Sequence, residues 1–113
     1  MISQRLIDEV LESGKGRYFK IGHCSLTLKG LPKNSMKLIA VEVDPAHKGK
    51  GAARTALNEL CEEADQRHAT IHLDVQPLDD ETYEDGLIRF YSSLGFNVSN
   101  RSNGVKMVRK PML

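Results

Sequence analysis

Apolar residues recur along this chain at two spacings, and each spacing marks a kind of element. Between Ser3 and Ser13, Leu6, Ile7, Val10 and Leu11 share one helical face with Asp8, Glu9 and Glu12 opposite, and Gly14 and Gly16 end the run. This predicts an amphipathic helix. Tyr18 to Leu31 holds two β-like pieces, Tyr18-Phe19-Lys20-Ile21 and Ser25-Leu26-Thr27-Leu28, interrupted at Gly22-His23; they are either two strands or one strand bent at a glycine bulge. Leu31 to Ser35 reads as a turn into Met36 to Val43, apolar and β-branched enough for a mostly buried strand. Asp44-Pro45 stops it, because proline cannot donate to a ladder. Helical spacing returns with Ala53, Ala56, Leu57, Leu60, Cys61 and Ala64, so a second helix begins near Gly51. Thr70 to Val75 alternates, with Ile71, Leu73 and Val75 on one face. A last helix carries Phe90 and Tyr91, and Phe96 to Asn100 and Val105 to Arg109 flank Asn103-Gly104, a strong hairpin signal. The order helix, strands, turn, helix, strand, helix, hairpin specifies a mixed α+β sheet with helices packed on it.

The connection from the Met36 strand to the second helix, Val41 to Ala53, is basic and glycine-rich. Helix starts carry backbone N–H groups without a partner and the positive end of the macrodipole, so an anion fits there. Gly49 and Gly51 let the backbone approach a cluster of oxygens, and Lys48, Lys50 and Arg54 add positive charge. Phosphate is the expected ligand. Spacing excludes two common phosphate loops: Gly49 to Thr55 lacks the glycine pair of the nucleotide-triphosphate loop, and Gly49-Lys50-Gly51 lacks the third glycine of the dinucleotide pattern.

Lys48-Gly49-Lys50-Gly51-Ala52-Ala53 resembles the acyl-CoA pyrophosphate loop of the GNAT superfamily of N-acyltransferases, and Phe90-Tyr91-Ser92-Ser93-Leu94-Gly95-Phe96 is similar to that family's Phe-Tyr-x-x-x-Gly-Phe segment. The resemblance covers Met36 to roughly Phe96, and weakly the rest. It implies an α+β fold with a central, mostly antiparallel twisted sheet split around the acyl-CoA site and helices on both faces. It implies an N-acetyltransferase that moves an acetyl group from acetyl-CoA to a primary amine on a small molecule or a protein. Backbone groups of Val41, Glu42 and Val43 would pair with the pantetheine arm, as a ligand strand augments a sheet. Lys48, Gly49, Lys50, Gly51, Ala52, Ala53 and Arg54 would hold the pyrophosphate. Tyr91 would lie near the thioester sulfur as general acid. Typical members have a further strand and helix at the front, and this chain looks like a short member without them. The alternative is a non-catalytic GNAT-like module that binds acyl-CoA or serves as an interaction protein, favoured by the short front and by Glu84 where the family often carries Asn.

Composition narrows the rest. With 113 residues, 40% hydrophobic and 27% charged, one domain spanning 1–113 is expected. A net charge of +1 and 5% aromatic residues argue against a nucleic-acid partner. Cys24 and Cys61 have no metal-binding spacing and the four histidines are scattered, so no metal is expected. No apolar run reaches membrane length, and a cytoplasmic protein is expected, with a homodimer as a compatible assembly.

Amide formation from a thioester needs a deprotonated amine and a proton for the thiolate. The Tyr91 phenol, with an ordinary pKa of about 10, is protonated at neutral pH and can supply the proton. Glu42 lies on the strand face opposite Val41 and Val43 and is the first candidate base; His72 and Asp74, on one face of the next strand, are its rivals. The acidic stretch from Gln76 to Asp85 is either a solvated loop or an attractor of cationic amines.

Overall fold

The computed structural model describes residues 4–75, 84–102 and 104–112. Helix α1 (Gln4–Ser13) leads into strands β1 (Gly16–Ile21), β2 (Cys24–Leu31) and β3 (Ser35–Val43). A one-turn 3-10 helix (Pro45–His47) precedes α2 (Ala52–Gln66), and β4 (Thr70–Val75), α3 (Glu84–Ser92), β5 (Asn97–Asn100) and β6 (Val105–Arg109) follow. Tyr18 to Leu28 forms two strands, since Ile21 pairs with Cys24 across a two-residue turn that begins with Gly22 at φ 60°. Glycine first is what a turn matching the twist of a hairpin requires.

The strands form one sheet in the order β1-β2-β3-β4-β6-β5, with β3 and β4 parallel and the other neighbours antiparallel. The parallel pair needs a crossover, and α2 provides it. Gly30, Met36, Ile71 and Arg109 occupy successive register positions and so share a face. That face carries the core: Leu28, Leu38, Leu73 and Met107 are buried there against Ile7 and Val10 of α1 and Ala56, Leu57, Leu60 and Ala64 of α2. Each such leucine contributes about 1.5–3 kcal/mol on burial.

The mixed α+β sheet is the one expected, but its layering differs from the expected helices on both faces. Helix α1 sits so close to Gly30 that a Cβ there would collide with the Val10 carbonyl. Helix α2 joins the same face, with Asp65 bound to Arg109 and Arg67 bonded to Asp8 of α1 at 2.6 Å. Helix α3 lies beside α2, where the Arg54 guanidinium covers the Phe90 ring at 5.1 Å and Arg109 Nε donates to the Leu94 carbonyl. The reason is handedness: the connections β3–α2–β4 and β4–α3–β5 step across the sheet in the same direction, and two right-handed crossovers then put their helices on one side. Among the described residues the other face carries Lys37, His72, Asp74 and Lys106, all partly or fully exposed.

Candidate active site

The sheet opens where the parallel β3–β4 pair ends. Strands β3 and β4 pair from Ser35↔Thr70 to Leu38↔Leu73, after which β3 runs on to Val43 and β4 to Val75 without pairing. Just at that point β3 bulges. Thr27 faces Ala40 and Leu28 faces Leu38, so Ile39 is the extra residue. A bulge adds twist and ends local pairing, and the edge of β3 beyond it is left without a β4 partner. A cleft of about 420 Å³ fills the split, walled by β3 from Leu38 to Val43, by Leu73 and Asp74 of β4, by Lys48, Gly49 and Ala53, and by Leu87, Phe90 and Tyr91 of α3.

At one end of this cleft lies the basic turn. Gly49 and Gly51 have φ of 77° and 79°, a conformation that L side chains rarely adopt, and a Cβ on either would have nothing within 4 Å. The turn is therefore glycine for its backbone shape, with open space outside it. Among the described residues no side chain caps the start of α2, and no acidic residue lies in its first turn, so its initial N–H groups and macrodipole face that space. Val41, Glu42, Val43, Lys48, Gly49 and Ala53 line the cleft, as does Tyr91; Lys50, Gly51 and Ala52 complete the turn beside it. Arg54 ties α2 to α3 through Phe90.

Tyr91 forms part of the α3 wall, partly buried, its ring edge-on to Phe90 and Phe96 at 5.4 and 5.7 Å. Burial first, and the neighbouring Cys24 second, hold its phenol above the ordinary value of 10. Glu42 is exposed on β3 beside Ser25 of β2. Asp74 also lines the cleft, but Lys37 and Lys106 hold it at 2.8 and 3.0 Å. Hydrogen bonds from Lys37 and then Lys106 depress its pKa, which makes it a poor proton acceptor. His72 sits on the open sheet face, outside the cleft lining. Most of the acidic stretch, residues 76–83, lies outside the described residues.

Sequence reasoning passed over Leu38, Ile39, Ala40, Leu73, Leu87 and Phe90 as lining residues. The bulge that sets the first three along the cleft leaves no mark in an apolar run. Phe90 had a usable signal in its place directly before Tyr91.

The family model for the acetyltransferase (GNAT) family matches residues 4–96. No curated protein matches the chain in sequence. Among solved structures the chain is similar to the anti-CRISPR protein AcrVA5, with a TM-score of 0.67 and 20% identity over 83% of this chain and 97% of that one. It is similar to the ribosomal-protein-S18-alanine N-acetyltransferase from Escherichia coli, with a TM-score of 0.65 and 22% identity over 99% and 79% of the two chains. An aminoglycoside 6'-N-acetyltransferase complexed with coenzyme A also matches, with a TM-score of 0.65 and 14% identity over 94% and 78%. At these identities the likeness is one of fold. The family model spans most of the chain and takes in both the basic turn and the segment around Tyr91, and on that match the chain belongs to the acetyltransferase (GNAT) family.

Proposed function

We propose that this protein is an N-acetyltransferase that takes its acetyl group from acetyl-CoA and delivers it to a primary amine. The observation that carries the reading is the split between β3 and β4, which has the glycine turn at one end and the Tyr91 phenol in its wall. The residues suit the donor. The unpaired edge of β3 from Ala40 to Val43 offers backbone groups to an extended amide chain, and the Lys48–Ala53 turn offers N–H groups and positive charge to a pyrophosphate.

Acetyl-CoA supplies a thioester carbonyl that an amine nitrogen attacks, forming the C–N bond as the C–S bond breaks. Tyr91 holds a proton on its phenol oxygen for the departing sulfur, and its raised pKa keeps it protonated at neutral pH. Glu42, on the cleft and without an ion-pair partner among the described residues, takes the proton lost by the amine, directly or through water. Asp74, already engaged with two lysines, keeps the floor of the split in place.

The test is thiol release from acetyl-CoA across a panel of primary amines, combined with mass spectrometry of a lysate supplied with isotope-labelled acetyl-CoA. Amine-dependent thiol release with labelled amide products supports the reading. Tight CoA binding without turnover on any amine or lysate component would instead indicate an acyl-CoA-binding module.

A further inference from the structure

The connection that leads into the glycine turn is held by residues from a different part of the chain. Asp44 occupies the N-cap position of the 3-10 helix, where aspartate ordinarily caps, yet its carboxylate makes no cap hydrogen bond. It faces the β1–β2 turn instead, with Oδ2 3.6 Å from His23 Nδ1 and 3.7 Å from Lys20 Nζ. The Asp44 amide donates to the His23 carbonyl at 2.9 Å, and the His47 amide donates to the Asp44 carbonyl at 2.8 Å. The rings of His23 and His47 then stack face to face, with centroids 3.4 Å apart and 6° between planes. His47 is the last residue before Lys48, where the turn begins.

Beyond this point a Cβ on Gly49 or Gly51 would have nothing within 4 Å, and among the described residues no side chain caps the start of α2. A turn with two glycines at left-handed φ is conformationally free unless its ends are fixed. Its far end is fixed by α2, and its near end by the stacked pair and Asp44. We infer that His23, with His47 and Asp44, is a positioning group for the donor turn: the β1–β2 hairpin braces the turn in the shape that receives the phosphates, and His23 itself need not touch the donor. This inference rests on the reading of the turn as the acetyl-CoA phosphate site. It assigns the two histidines a role that their lack of metal-binding spacing left open, and it makes donor affinity depend on a hairpin distant in sequence. Preorganisation of this kind raises affinity by lowering the ordering cost of binding.

The experiment measures CoA affinity by calorimetry for the wild type, His23→Ala and His23→Phe. His23 is exposed on a turn, so removing its side chain leaves the core intact, and the phenylalanine variant restores a stacking ring if the alanine variant fails to fold. An aromatic pair of this kind corresponds to a factor of about two to twelve, so His23→Ala is expected to weaken CoA binding to that extent and His23→Phe to recover most of it. In turnover the change appears in KM for acetyl-CoA, with kcat and the KM of the amine held. Unchanged affinity in His23→Ala, or a phenylalanine variant as weak as the alanine one, overturns the brace while leaving the donor site standing. A wild type that does not bind CoA at all overturns both.

Discussion

At the residue scale the site divides into groups set by their immediate neighbours and groups set by strands far away in the chain. Tyr91 belongs to the first kind: its place on α3 directly after Phe90 makes it legible, and the cleft receives it. Tyr91→Phe removes only the hydroxyl, so CoA affinity is expected to hold while kcat drops about a hundred- to ten-thousand-fold with a competent amine, as measured by steady-state thiol release. Because burial raises the phenol above its ordinary value of 10, the acid stays protonated on the alkaline side, and wild-type kcat should not fall below that pH. A descending limb centred near pH 8, or a Tyr91→Phe loss under about threefold with chemistry rate-limiting, returns Tyr91 to packing. The candidate bases belong to the second kind. Glu42, His72 and Asp74 are equivalent in a sequence, each a polar residue alternating along a strand. Pairing alone separates them, since β3 and β6 bring Lys37 and Lys106 alongside Asp74 and hold its carboxylate ionised and occupied.

At the element scale, two glycines show how backbone geometry sets the site. Gly51 caps the start of α2 at φ 79°, and no acidic residue occupies the helix's first turn. Gly51→Asp introduces strain at a left-handed position together with a negative charge at the proposed pyrophosphate site. It is expected to abolish CoA binding by calorimetry, whereas Gly51→Ala, which adds the strain alone, weakens it less. Gly30 lets α1 approach β2 until a Cβ would meet the Val10 carbonyl and the Gly14 backbone. Gly30→Ala therefore forces α1 outward and is expected to cost about 1–3 kcal/mol of stability, read from urea unfolding. Unchanged stability would mean that α1 docks through its side chains alone. Gly51 was marked in the sequence by its basic setting. Gly30 was not, since a glycine inside a strand does not reveal which helix lies over it. The same holds for the bulge at Ile39, where an uninterrupted apolar run conceals the residue at which pairing stops.

At the scale of the whole molecule, one ion pair gathers the C-terminal half. Arg109 of β6, nearly fully buried, meets Asp65 of α2 through two bonds of 2.7 and 3.0 Å and donates to the Leu94 carbonyl, while Asp65 also accepts from the Met112 amide. Asp65→Asn leaves a buried guanidinium without its counter-charge and is expected to cost about 3–5 kcal/mol in urea unfolding. The Arg109 hydrogen bond, ahead of the opposing burial and of the Met112 amide, holds the Asp65 carboxyl below its ordinary 3.8. Its folded pKa is depressed, so its stabilisation is complete above the unfolded value and is lost as pH falls through the folded one. Acid unfolding below about pH 3.8 should therefore flatten in Asp65→Asn; equal acid limbs in the two proteins would remove the pair from that role. The sequence by itself determined the helices, most of the strands, their order and the basic glycine turn, because periodicity, proline and glycine act within a few residues. It also marked Tyr91 and set the family resemblance. Only the tertiary structure decided which strand edge stands open, that the three described helices share one face, which carboxylate is already engaged, and that a hairpin histidine stacks on the approach to the glycine turn. Those features depend on register, crossover handedness and contacts between residues remote along the chain, and no local pattern encodes them.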